Sequence, residues 1–170
     1  MIMVAAVVFL AWLIITFALK KVSVIGSSME TTLYNGEDVI VNKTSYVLFS
    51  PKRNQIIAFY PEAQDEEETT NSDSMIHIRR VAGLPGEKVQ IKNGKLYING
   101  EEQKEKYDFE AMHSGGRAVN EITLKDDEYF VLSDSRNDMD DSRNSSFTKV
   151  MKKNIIGKVI LRLDPFSLIG

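Results

Sequence analysis

The sequence predicts a mainly β protein, an antiparallel sheet domain with one N-terminal transmembrane helix. Three observations predict it. Residues 1–19, MIMVAAVVFLAWLIITFAL, carry no charged side chain. Behind them, short runs rich in valine and isoleucine alternate apolar and polar positions. Asn93-Gly94 then stands between two such runs, the strongest short-range hairpin signal.

In chain order, the apolar run comes first. As a helix it would be about 28 Å long at ~1.5 Å per residue, near the thickness of bilayer hydrocarbon. Lys20 and Lys21 stop it, so residues 1–21 are predicted to be a membrane anchor. It lacks basic residues at its start and an A-x-A-like site at its end, which argues against a removable signal peptide. A buried core helix is disfavoured, because a domain this small rarely hides a helix apolar on all sides.

Residues 22–170 are predicted to form the β domain. The expected strands are 37–43, 54–60, 75–82, 87–92, 95–100, 127–133 and 155–163. Residues 61–74 are acidic and polar, the composition of a surface loop. Residues 101–120 are mixed, and read as a short helix or an excursion off the sheet.

Composition excludes several classes. A net charge of −3 argues against nucleic-acid binding. The absence of cysteine removes disulfide and thiolate chemistry, and suits an extracytoplasmic bacterial protein. Two histidines, His77 and His113, are too few and too far apart for a zinc site, so no metal or other cofactor is expected.

Three stretches can carry chemistry. In IGSSMETTL (25–33), Gly26 opens a turn and Ser28 precedes Met29. The plain reading is that Ser27 or Ser28 caps a turn completed by Thr31 or Thr32. The other reading is a nucleophilic serine held beside the bilayer. In IHIRRVAGLPG (76–86), Arg79 and Arg80 are adjacent on a strand and must point to opposite faces. His77, Arg79 and Val81 share one face. In SDSRNDMDDSRN (133–144), Asp134, Arg136, Asp141 and Arg143 fall in two DSRN repeats. That loop is either a solvated turn or a salt-bridged prop for a site. Asp134 or Asp141 could neutralise Arg80, since a buried guanidinium needs a carboxylate.

In this order the segments resemble the bacterial type I signal peptidases, which cut signal peptides with a serine–lysine dyad outside the cytoplasmic membrane. Gly26-Ser27-Ser28-Met29-Glu30-Thr31-Thr32-Leu33 resembles the box G-x-S-M-x-P-T-L, with Thr31 for proline. Arg53 to Phe59 half keeps R-G-D-I-V-x-F. Arg79 to Glu87 is similar to K-R-V-x-G-x-P-G-D, and Gly94 to Gly100 to G-x-L-Y-x-N-G. Ser133 to Arg143 is similar to G-D-N-R-x-x-S-x-D-S-R.

The resemblance implies Ser28 as nucleophile. Gly26, Met29, Arg80, Asp134, Met139, Asp141 and Arg143 would support the site. It puts Arg79 in the seat of the general-base lysine, and Met139 where a serine orients that lysine. Arginine keeps its proton at ordinary pH and cannot be the base. His77 is the alternative base. It lies about 6.6 Å along the strand from Arg79, at ~3.3 Å per residue.

The implied function is a membrane-anchored signal peptidase I homologue that binds, and if active cleaves, signal peptides of secreted proteins. The alternative is a catalytically impaired peptide-binding factor in surface-protein or pilus assembly of a Gram-positive bacterium. Implied partners are signal peptides or membrane-tethered preproteins and the lipid bilayer, with pilins and a sortase under the second reading. The bulk of the chain is expected outside the cytoplasm on a single-pass anchor, although the lysines following the helix would by themselves place it inside. Self-cleaving repressors share this fold and chemistry, but the anchor and the lack of a DNA-binding helical segment argue against them.

Overall fold

The computed structural model describes residues 2–60, 76–147 and 149–169. The expected loop 61–74 lies outside the described residues. The apolar run forms α1 (Ile2–Ala18), 17 residues without a charge. Its side chains at Met3, Val7, Phe9, Trp12 and Phe17 are exposed. Among the described residues, no helix is long and apolar enough to cross a membrane.

The chain leaves α1 directly into β1 (Leu19–Ser23). Lys20 and Lys21 are strand residues: Lys20 donates to the Tyr60 hydroxyl at 3.2 Å, and Lys21 pairs with Asp38 at 2.8 Å. Next come β2 (Asp38–Asn42), β3 (Ile56–Phe59), β4 (His77–Gly83), β5 (Lys88–Lys92) and β6 (Lys95–Ile98). The remaining strands are β7 (Glu101–Glu102), β8 (Ile122–Thr123), β9 (Glu128–Leu132), β10 (Val150–Met151), β11 (Ile155–Arg162) and β12 (Ser167–Leu168).

The larger sheet runs β1-β2-β11-β3-β4-β9-β10, with β12 added to β11, and its described pairings are antiparallel. Its central strand β3 buries both faces. Ile56 and Ala58 enter one apolar cluster with Met29, Leu33 and Ile78, while Ile57 and Phe59 enter another with Val81 and Val131. The smaller sheet runs β7-β6-β5-β8 and closes over a third cluster. Its β5–β6 hairpin turns on Asn93 and Gly94, both at positive φ, as two-residue hairpin loops require.

Two details position the site. Leu84-Pro85-Gly86-Glu87 makes a turn closed by the Glu87 amide on the Leu84 carbonyl at 3.1 Å, with Gly86 at φ 77. Proline and then glycine at its centre suit a type II turn. The segment 101–120 is not a helix. Its first two residues extend the small sheet as β7, and the rest is irregular with one 3-10 turn at Gly116–Val119.

Candidate active site

Residues 24–36 form a tight loop between β1 and β2. Amides of Glu30, Thr32 and Leu33 return to the carbonyls of Ser27 and Met29 at 2.8–3.0 Å. Met29 and Leu33 plug the loop into the core, leaving Ser28 at its rim, 5% exposed. The Ser28 carbonyl accepts from the Ser135 amide at 3.0 Å. Its own amide and hydroxyl have no partner among the described residues. Gly26, at φ 86, has its amide spent on the Asn35 side chain at 2.9 Å. Gly26 therefore shapes the turn and offers no spare donor to a substrate.

Arg80 and Arg79 do point to opposite faces of β4. Arg80 forms a side-on pair with Asp134, Nε to Oδ1 at 2.7 Å and Nη2 to Oδ2 at 2.6 Å, and donates to the Asn54 carbonyl at 2.8 Å. The Tyr107 ring covers the guanidinium at 4.3 Å. Asp134 also accepts from the Thr32 hydroxyl at 2.5 Å. Of the two carboxylates the sequence left open for Arg80, Asp134 is the partner. Through Thr32 it ties the serine loop to the loop after β9.

Asp141 serves Arg143 instead, with contacts of 2.7 and 2.9 Å, both side chains being fully buried. It also accepts from the Ser133 amide at 3.0 Å. Arg143 donates to the carbonyls of Arg136 and Asp138, which pins the 133–143 loop into one shape. Arg136 pairs with Glu105 at 2.5 and 2.8 Å under the Phe109 ring.

Ser28, His77, Arg79 and Asp140 line one cleft of about 180 Å³ whose other walls are Val24, Ile25, Met29, Ile76 and Ile78. Arg79 is almost wholly buried. Its Nε donates to the Asp140 carbonyl at 2.6 Å, Nη1 to the Ile78 carbonyl at 2.6 Å, and Nη2 to the Asp140 carboxylate. Burial pulls its pKa down, while Asp140, Asp141 and Asp138 oppose that shift. The guanidinium stays charged and no hydrogen bond joins it to Ser28.

His77, the alternative base, is half-buried. Its ring packs against Phe59, stacked at 5.8 Å, and Phe147, edge-on at 5.5 Å. Burial and the neighbouring Arg79 charge push its pKa below the ordinary histidine value, while Asp140 acts the other way. The imidazole is therefore neutral at neutral pH. Met139 does not face the cleft. Its methyl packs against Gly116, at φ 52, where an added Cβ would also strike the Arg143 carbonyl. The place beside Arg79 belongs to Asp140, which sequence reasoning passed over although it is the next residue. Among the described residues no group of carboxylates and histidines is placed to hold a metal.

A nucleophile candidate, an imidazole and an ion pair thus meet in one apolar-walled cleft. The profile of the family described as signal peptidase, peptidase S26, matches residues 1–163. The chain belongs to this signal peptidase family. It is 35% identical to the signal peptidase I of Bacillus amyloliquefaciens over 169 residues, 94% of this chain and 84% of that one. It is 33% identical to a probable signal peptidase I-2 of Synechocystis sp. over 168 residues, 99% of this chain and 73% of that one. A signal peptidase I crystal structure from Enterococcus faecalis V583 matches 65% of this chain and 97% of its own, at 29% identity and a TM-score of 0.48. The expectation of pilins and a sortase as partners of this signal peptidase homologue has no support among these relatives.

Proposed function

We propose that the protein is a membrane-anchored serine endopeptidase of the signal peptidase I type, its domain outside the cytoplasm. It would cleave signal peptides of secreted proteins in the cleft of Ser28. The observation that carries this reading is Ser28 itself, whose amide and hydroxyl have no partner among the described residues and which lines an apolar-walled cleft. The uncharged helix α1 supports the anchor.

In the proposed reaction the Ser28 oxygen attacks the scissile carbonyl, and the Ser28 amide faces the developing oxyanion. One such donor is worth about 3–4 kcal/mol. The serine proton needs an acceptor, because a free hydroxyl is a poor nucleophile. Arg79 cannot take it. His77 can, being neutral and in the same cleft, with Asp140 near enough to favour the imidazolium that forms. The proton then passes to the leaving amine, and water hydrolyses the acyl-enzyme. Arg79 holds Asp140 in place and supplies positive charge.

The test is cleavage of a signal-peptide substrate in detergent by the native chain, Ser28→Ala and His77→Ala. Loss of turnover in Ser28→Ala is expected, and full activity in that variant overturns the reading. A second reading is a peptide-binding homologue without turnover. It is favoured by one observation, that Ser28 has no hydrogen-bonded base while Arg79 is committed to Asp140 and Ile78. Peptide binding by a native chain that cleaves nothing is the result that would select it.

A further inference from the structure

On the face of β4 that carries Arg80, opposite the Ser28 cleft, lies a small cavity of about 10 Å³. Arg53, Arg80 and Arg136 line it, together with Gln103, Lys104 and Glu105 of the segment after β7. The rest of its wall is chiefly apolar. It has room for about one water molecule or one ion of that size.

The three arginines come with carboxylates. Arg80 pairs with Asp134, Arg53 with Glu87 at 2.7 Å, and Arg136 with Glu105. Asp134 and Glu87 are not part of the cavity wall, so only the Glu105 carboxylate answers three guanidinium groups and Lys104 there. One donor is left over. The Arg136 side chain is 1% exposed, and both its terminal nitrogens go to Glu105. Its Nε is buried and has no hydrogen-bond partner among the described residues. A buried donor on a charged group is costly without an acceptor.

The chemistry of the wall says which acceptor fits. A water would also have to donate its hydrogens, and the acceptors at the wall are engaged. Glu105 receives Arg136, the Ala82 carbonyl receives Arg53, and the Asn54 carbonyl receives Arg80. A monatomic anion donates nothing, and the guanidinium groups around it favour its charge. We propose that this cavity binds one small monovalent anion of the size of chloride, held by the Nε–H of Arg136 among the three arginines. The anion would fasten residues 103–105 to Arg80 and Arg136. Arg80 reaches the serine loop through Asp134 and Thr32, so the bound anion would steady that loop from behind. The inference stands whether or not Ser28 turns over substrate.

The full chain in detergent would be crystallised and soaked in sodium bromide. Its thermal melting would be followed as sodium gluconate, whose anion is too large for the cavity, is replaced by sodium chloride at constant ionic strength. Expected are an anomalous bromide peak beside Arg136 Nε and a saturating rise of about 2–4 °C in the melting midpoint. Arg136→Lys would break the pair with Glu105 and disturb folding on that ground alone. Gln103→Glu is the better variant, because it keeps every arginine with its carboxylate and sets a fixed negative charge at the wall. Loss of both the bromide peak and the chloride response is expected in it. Water at the site in bromide-soaked native crystals overturns the proposal. A bromide peak with melting indifferent to chloride marks an adventitious ion only, and also overturns it. A chloride response of equal size in Gln103→Glu puts the anion elsewhere and overturns it as well.

Discussion

Arg79 and Asp140 are joined twice, the arginine donating to both the carbonyl and the carboxylate of the aspartate. The contact crosses from β4 to the loop after β9. It leaves the buried guanidinium committed within the protein, in the same cleft as Ser28.

This commitment makes Arg79→Lys a poor rescue. The new amine would find Asp140 and the Ile78 carbonyl already in place as acceptors, both of which favour its charged form. Little or no gain in cleavage rate is expected. A gain of tenfold or more in steady-state turnover would show that lysine can lose its proton there.

Cleavage should instead follow the imidazole. The groups facing His77 are Phe59, Phe147, Arg79 and Asp140. Burial and Arg79 lower its pKa, so the base is active above that lowered value and is lost as pH falls through it. The pH profile of kcat/KM should be level near neutrality with its acid limb below the ordinary histidine range. Asp140→Asn removes the group that raises the pKa and should move the limb further toward acid. A profile rising only in the alkaline range would point to a lysine. Stability moves in the same sense, since the unfolded chain protonates His77 first and the fold weakens as pH drops below that point.

Asp134→Ala should cost the fold about 3–5 kcal/mol, because it strands the buried Arg80 charge. It also frees Thr32, so loosening of the serine loop is expected beyond the loss of stability. Urea unfolding measures the first effect, and amide exchange at residues 27–33 the second. Asp140→Ala is milder, about 1 kcal/mol, since that carboxylate is half-exposed and screened by water. Equal costs for the two would contradict this assignment of the pairs.

Gly157→Ala tests the frame rather than the site. Gly157 lies at a register shift of β11 against β3, and an added Cβ would press on the Asn42 backbone. A loss of about 1–3 kcal/mol in unfolding free energy is expected from such overpacking. The Asn42 side chain also caps the turn Lys43–Tyr46, so an unchanged stability would question that junction.

The sequence by itself determined the framework. Seven alternating segments became β2, β3, β4, β5, β6, β9 and β11, and Asn93-Gly94 became the hairpin, because alternation and turn chemistry reside in neighbouring residues. It also determined that Arg79 and Arg80 face opposite ways, a consequence of strand pleating alone. The two-residue strands escaped it, since their pairing is decided by the partner strand. The tertiary structure alone decided which acid meets which arginine. Asp134, Asp138, Asp140 and Asp141 are near-equivalent as letters. Only the long-range packing of the post-β9 loop on β4, 61 residues earlier in the case of Asp140, picks Asp140 for Arg79 and Asp134 for Arg80, whereas Asp141 meets Arg143 two residues on. The same packing turned Met139 away from the cleft and drew His77 into it, while the 24–36 loop spends the Gly26 amide on its own Asn35. Side-chain choice among similar groups depends on distances that no local pattern encodes.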